Sequence, residues 1–198
     1  MKKRSLFSIV LAVAILLSFS ACSDDKDGGE VVISGEGEQS TVYEKEESTA
    51  FVFTAEDLYG KKVSSDMFKK SKITMVNIWA TFCGPCKNEM PYLGELSKEY
   101  DEKDVQIAGI IIDLKDSNGN VLESQIEAAK DIVESSNASY THIIPSDSVE
   151  AYISSVSVVP TTIFFDSDGN VIGSNIIGSK SKEDWKSVID EKLQEVSK

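Results

Sequence analysis

The chain has 198 residues, a formal net charge of −13, three cysteines and a single histidine. An acidic balance of this size argues against nucleic acid, whose phosphates need Lys and Arg to displace counterions. It also argues against broad adhesion to anionic lipid, and otherwise reports solubility. In chain order, the first segment reads as a secretory leader over Met1–Ala21. Lys2, Lys3 and Arg4 form its basic start, and Leu6 to Phe19 an almost unbroken apolar run. That run is short for a membrane span, which takes about 20 residues.

Ser20 and Ala21 lead into Cys22, and Phe19-Ser20-Ala21-Cys22 resembles the box of a bacterial lipoprotein signal. The resemblance implies a diacylglyceryl group on Cys22, although Phe19 replaces the usual aliphatic residue. The alternatives are a plain cleaved signal and an uncleaved anchor; each exports the domain. Residues 22–49 read as an acidic, flexible tether. They carry nine acids against Lys26 and Lys45, with Gly28, Gly29, Gly35 and Gly37. Little apolar area is present there to offset chain entropy. Val31-Val32-Ile33 is a candidate transient strand.

Residues 50–198 read as one globular domain. Ala50–Thr54 is an expected strand, Leu58–Val63 a turn and second short strand, and Ser64–Phe68 a capped helical turn. The apolar run Ile73–Trp79 is an expected buried strand. Pro85 to Tyr100 is an expected helix with a kink at Pro91. Val105–Ile112 is a second apolar strand, suited to the middle of a parallel sheet. A turn over Asp116–Gly119 precedes a helix over Leu122–Ser135. Tyr140–Ile144 is a third parallel strand and Ser148–Ile153 a short helix. Thr161–Asp166 is a strand, with Val171–Ile176 its hairpin return. Ser181 and Asp184 form a capping pair for the last helix, whose apolar face is Trp185, Val188, Ile189, Leu193 and Val196. Strands alternating with helices, then a hairpin and a helix, predict an α/β fold with the sheet covered on both faces.

Cys83-Gly84-Pro85-Cys86 lies between the Ile73–Trp79 strand and the helix that follows. Two cysteines so spaced on a strand-to-helix turn open and close a disulfide at little conformational cost. Cys83 stands where a helix N-terminus stabilises a thiolate. If Cys22 takes the lipid, no cysteine is left for a structural disulfide. A zinc site needs two further N/S ligands, and beyond Cys22 only His142 is available. A c-type haem needs a histidine directly after the second cysteine, where Lys87 stands. The pair therefore points to dithiol–disulfide exchange, with no metal and no cofactor.

Trp79-Ala80-Thr81-Phe82-Cys83-Gly84-Pro85-Cys86-Lys87-Asn88-Glu89-Met90-Pro91 resembles the active-site segment of thioredoxin-fold proteins. More narrowly it is similar to the extracytoplasmic TlpA/ResA-type thiol-disulfide oxidoreductases. Phe51–Phe68 resembles that family's N-terminal hairpin, Val158-Val159-Pro160-Thr161-Thr162 its cis-proline loop, and Phe164–Gly169 the strand and turn that follow. The resemblance implies a thioredoxin-like fold: a central mixed sheet, helices on both faces, an N-terminal β-hairpin and a strand–helix unit inserted between about Asp113 and Ser139. Phe82 departs from the family's usual tryptophan. Cytoplasmic thioredoxins carry a buried aspartate in the strand before the motif, where Asn77 supplies no acid. Glu89 stands where the extracytoplasmic subgroup places a glutamate.

By this resemblance Cys83 is the nucleophile, Cys86 the resolving thiol and Glu89 the acid that exchanges a proton with Cys86. Phe82, Gly84, Pro85, Val159 and Pro160 shape and position the substrate site, and Val159–Pro160 is expected to be cis. Gly84-Pro85 also occurs in thioredoxin, at about −270 mV against about −120 mV for DsbA, which implies a reductant. Expected partners are disulfide-containing exported proteins, among them apocytochrome c or methionine sulfoxide reductases, and a CcdA/DsbD-like membrane thiol donor. The membrane contact is the lipid anchor, on the extracytoplasmic face of a bacterial cell membrane, and the protein is expected to be a monomer. The competing readings are an oxidase or isomerase on the same fold and a non-enzymatic binding lipoprotein. His142 and Trp79 are expected to be structural.

Overall fold

The structure is a computed structural model that describes residues 50–102 and 104–197. The leader, Cys22, the tether and its Val31–Ile33 run lie outside the described residues. The domain is organised around β3 (Ile73–Trp79), all seven residues of which are buried. A strand with no polar edge must be covered on both faces, and its neighbours supply that cover. On one side β3 pairs in parallel with β4 (Val105–Ile111), which pairs in parallel with β5 (Thr141–Ile144). On the other side β3 pairs antiparallel with β6 (Thr161–Asp166), and β6 with the two-residue β7 (Ile176–Ile177). The hairpin of β1 (Thr54–Asp57) and β2 (Lys62–Ser64) closes the far edge against β5. The resulting mixed sheet has the order β2-β1-β5-β4-β3-β6-β7.

Side chains alternate across β3. Val76 and Ile78 face a core built from Phe51, Phe53, Phe68, Ile110, Phe165 and α3 (Asp147–Ile153). Ile73 and Met75 face the opposite core, with α1 (Gly84–Asp101) and α4 (Lys182–Val196). Trp79 lies on that same face, packed with both cysteines, Met90 and α2 (Glu123–Ser135). Helices thus cover both faces, as expected. The approach of α1 to the segment after α2 is too close for a side chain. A Cβ on Gly94 would lie 2.5 Å from the Asn137 carbonyl oxygen. Among the described residues, no helix is long and apolar enough to cross a membrane.

Several boundaries differ from the sequence reading. The expected strand over Ala50–Thr54 is ladder-free as far as Phe53. Phe51 and Phe53 are buried and Val52 exposed, which is the alternation that suggested a strand, but the Phe51 amide bonds only to Gly169 in a turn. The return over Val171–Ile176 is reduced to an isolated bridge at Val171 and to β7. The inserted unit holds a turn with one bridge, Lys115 to Val121, followed by α2. Ser64–Phe68 winds as a 3₁₀ helix over Ser65–Lys70, capped by the Ser64 hydroxyl. In α4 only Trp185 and Ile189 are fully buried, and Val196 is exposed.

Candidate active site

The turn from β3 into α1 places Cys83 as N-cap and Pro85 in the first helical turn, where a missing amide costs no helix bond. Cys83 and Cys86 are joined as a disulfide, with Cα atoms 5.3 Å apart. The Cys86 amide donates to Cys83 Sγ at 3.2 Å. That donor and the helix dipole both favour negative charge on Cys83 sulfur when the bond is open. Cys86 is fully buried and Cys83 is 5% exposed, while Phe82 beside it is 71% exposed. Gly84, Pro85 and Lys87 are also exposed.

Glu89, one turn beyond Cys86, is 1% exposed. It is not a solvent-facing glutamate but a junction of four elements. Its Oε1 accepts from Asn77 Nδ2 of β3 at 3.0 Å. Its Oε2 accepts from Trp185 Nε1 of α4 at 3.0 Å and from the Lys180 amide at 3.1 Å. Asn77 Nδ2 also donates to Thr162 Oγ1 of β6 at 3.1 Å, two residues past Pro160. Burial pushes the Glu89 carboxyl above its ordinary value, against the pull of these three donors and the Lys180 charge. A carboxyl raised in this way binds its proton more tightly than a free glutamate and can exchange it within the site. Burial, and next the Glu89 charge, push the Tyr140 phenol upward.

The Val159–Pro160 peptide is cis. Pro160 is buried, and Val159 packs against the cluster that contains both cysteines. Val158 before it is exposed. The Pro160 carbonyl accepts from the Gly178 amide at 2.8 Å, which fixes the loop to the end of β7.

His142 lies beneath the site on β5. Its Nδ1 accepts from Trp79 Nε1 at 3.2 Å, so its Nε2 carries the proton and donates to the Ala138 carbonyl at 2.8 Å. Burial holds its pKa down to about 4. Both ring nitrogens are committed, consistent with a structural histidine rather than a zinc ligand. A groove of about 980 Å³ lies elsewhere, between the β1–β2 hairpin and the inserted unit, and includes neither cysteine.

The model of the Redoxin family matches residues 45–191. The chain belongs to this family. Among the redoxin's relatives, a thiol-disulfide oxidoreductase ResA of Bacillus cereus is 35% identical over 132 residues, 66% of this chain and 69% of that protein. ResA of Bacillus subtilis (strain 168) is 29% identical over 177 residues, 86% of this chain and 84% of that protein. A thiol:disulfide interchange protein of the thioredoxin family from Chlorobium tepidum TLS superposes with a TM-score of 0.60 at 26% identity, covering 73% of this chain and 94% of that one. The redoxin is a thiol-disulfide oxidoreductase with a thioredoxin-like fold.

The structure brings Cys83, Cys86 and Val159 into one cluster, with Glu89 buried one turn beyond Cys86 on α1 and Pro160 next to Val159 in the chain. Cys22 lies outside the described residues. Sequence reasoning missed the partners of Glu89. An amide in the middle of the apolar run Ile73–Trp79 is a signal for Asn77. Nothing local marks Trp185 Nε1 or the Lys180 amide, because 91 or more positions separate them from Glu89. The contact of Asp113 with the turn before Cys83 was also missed.

Proposed function

We propose that this redoxin is a membrane-tethered reductase of disulfides in exported proteins. The observation that carries this reading is the Cys83–Cys86 pair at the N-terminus of α1, backed by a buried carboxyl at Glu89. In the reduced protein the Cys83 thiolate attacks one sulfur of a substrate disulfide. The substrate S–S bond breaks, a mixed disulfide forms on Cys83, and the released substrate sulfur takes a proton. Cys86 then gives its proton to the Glu89 carboxylate and attacks Cys83 Sγ. This closes the Cys83–Cys86 disulfide and frees the second substrate sulfur, which takes the proton held by Glu89. Two electrons have passed to the substrate, with one proton from Cys86 by way of Glu89 and one from water. A membrane thiol donor of the CcdA/DsbD kind restores the dithiol.

Phe82 and Val158 supply exposed apolar surface for the client, and the backbone before Pro160 pairs with it. Gly84-Pro85 supports a reducing potential by analogy with thioredoxin. The leader over residues 1–21 and a lipid on Cys22 place the domain outside the cytoplasmic membrane, with residues 22–49 as its tether. Exported clients and anchorage follow from this sequence pattern.

The test is a redox titration of the full chain in dithiothreitol buffers, with trapping alongside. The reading expects a potential nearer about −270 mV than about −120 mV. It expects Cys86→Ser to accumulate mixed disulfides on Cys83 with exported proteins. A potential near the oxidising limit would move the protein to the oxidase reading. Palmitate labelling that persists in Cys22→Ser would remove the lipid from Cys22.

A further inference from the structure

The turn that delivers Cys83 is held from outside by a residue of the inserted unit. Ala80 to Cys83 forms a tight turn, with the Cys83 amide donating to the Ala80 carbonyl at 3.1 Å. Of its two central residues, Phe82 projects into solvent. Thr81 is tied down. Its amide donates to both carboxylate oxygens of Asp113, each at 3.0 Å, and its hydroxyl donates to Asp113 Oδ2 at 2.6 Å.

Asp113 stands two residues past the end of β4, just after Ile112, whose amide bonds to the Trp79 carbonyl at 3.0 Å. It is itself braced. Its carbonyl accepts from Gln125 Nε2 of α2 at 3.3 Å, and the next turn is closed by the Leu122 amide on the Leu114 carbonyl at 2.8 Å. Charge-assisted bonds to one carboxylate are about twice as strong as neutral ones. Two Thr81 donors, the amide shared between both carboxylate oxygens and the hydroxyl, define its backbone and its side chain together.

We infer that Asp113 is a positioning residue: through Thr81 it fixes the Ala80–Cys83 turn and holds Phe82 outward beside Cys83, ready for a folded protein client. The inserted unit is thus the brace of the catalytic turn. This inference rests on the disulfide-exchange reading of Cys83 and Cys86. With the clamp gone, Thr81 and Phe82 regain backbone freedom and the exposed phenyl ring can fold onto apolar neighbours. A displacement of about 1 Å near reacting groups can cost about a hundredfold in rate. A protein disulfide, which must dock on Phe82, suffers most. A small aromatic disulfide needs only the Cys83 sulfur and suffers less.

The experiment follows single turnover of the full-length reduced protein with a protein disulfide and with a small aromatic disulfide, the limiting rate standing for kcat and the half-saturating disulfide concentration for KM. The proteins are wild type, Asp113→Ala, Thr81→Val and Thr81→Ser, each shown folded by circular dichroism. Asp113→Ala is expected to lower kcat/KM about tenfold on the protein disulfide, chiefly through KM, and about twofold on the small one. Thr81→Val loses the hydroxyl bond and moves the same way, whereas Thr81→Ser keeps that bond and restores activity on the protein disulfide. If Asp113→Ala does not fold, the Thr81 pair carries the test. Equal losses on both disulfides, no loss on either, or a Thr81→Ser variant as impaired as Thr81→Val would overturn the inference. Wild-type protein inactive on both disulfides would instead defeat the reductase reading.

Discussion

Replacing Glu89 by glutamine separates its proton from its place in the fold. Three donors converge on the carboxylate: the buried Asn77 Nδ2 and Trp185 Nε1, and the half-buried Lys180 amide. In Glu89→Leu all three lose their acceptor. Each buried unsatisfied donor costs about 1–3 kcal/mol, so the two buried ones alone cost at least about 2 kcal/mol. In Glu89→Gln the amide oxygen takes the Trp185 and Lys180 side and keeps both bonds. Its NH₂ then faces Asn77, and Asn77 Oδ1 is a buried acceptor with no partner in the wild type. Turning the Asn77 amide over brings Oδ1 to that NH₂ and to the Thr162 hydroxyl. One unmet acceptor is exchanged for the unmet NH₂ of Asn77, so the change is about 1–2 kcal/mol, below that of Glu89→Leu.

The pH dependence carries a sign. Glu89 is raised above its reference value of 4.5, and burial is the main cause. Its neutral form contributes stability that is complete below 4.5 and is lost as pH rises through the raised value. Glutamine has no such loss, so Glu89→Gln gains on the wild type as pH rises. The assay is urea unfolding of the oxidised proteins from about pH 4 to about pH 8. A glutamine variant as weak as the leucine variant, or a pH-independent difference from wild type, would refute the reasoning. A stable Glu89→Gln protein with slowed exchange assigns the defect to the proton.

Three further outcomes follow from the same contacts. His142 should stay neutral until the solution nears pH 4, so its ring resonances show no titration at the ordinary value of 6.5. Because its folded pKa lies below its unfolded one, the stability it contributes is lost as pH falls from about 6.5 towards about 4, which acid unfolding will register. Gly109→Ala should destabilise by about 2 kcal/mol or more, since the new Cβ would lie 2.5 Å from His142 Nδ1 and 3.0 Å from Trp79 Nε1. Urea midpoints measure this, and a value within about 0.5 M of wild type would contradict it. Trp185→Phe removes one of the hydrogen bonds that lower the Glu89 pKa, so that pKa should rise further, as the pH titration of the Glu89 carboxyl carbon by NMR will show; an unmoved titration would separate Trp185 from the carboxyl.

Much of this molecule is local, and its sequence carries those parts. Ile73–Trp79 matches its expected strand residue for residue, because a run apolar on both faces has only one stable place, the middle of a covered sheet. The position of Cys83 at a helix start follows from the strand before it and Pro85 after it. Ser181 caps α4 through the Asp184 amide at 3.1 Å, as the capping pattern requires. Other signals were real but insufficient. Phe51 and Phe53 alternate with Val52 as a strand does, yet a ladder needs a neighbouring strand, and here the Phe51 amide meets the Gly169 turn and the Phe53 carbonyl the Ser65 amide at a helix start.

The chemistry around the cysteine pair depends on contacts that no local pattern encodes. Asn77 meets Thr162 because β3 and β6 pair in that register, and meets Glu89 because α1 packs on that face. Trp185 reaches the same carboxylate from the far end of the chain, and Asp113 reaches Thr81 from the strand beyond. Composition, spacing and turn chemistry determined the strands, the helices and the dithiol. Burial, which moves the Glu89 and His142 protonation equilibria, and the donors that surround them, exist only once distant segments pack together.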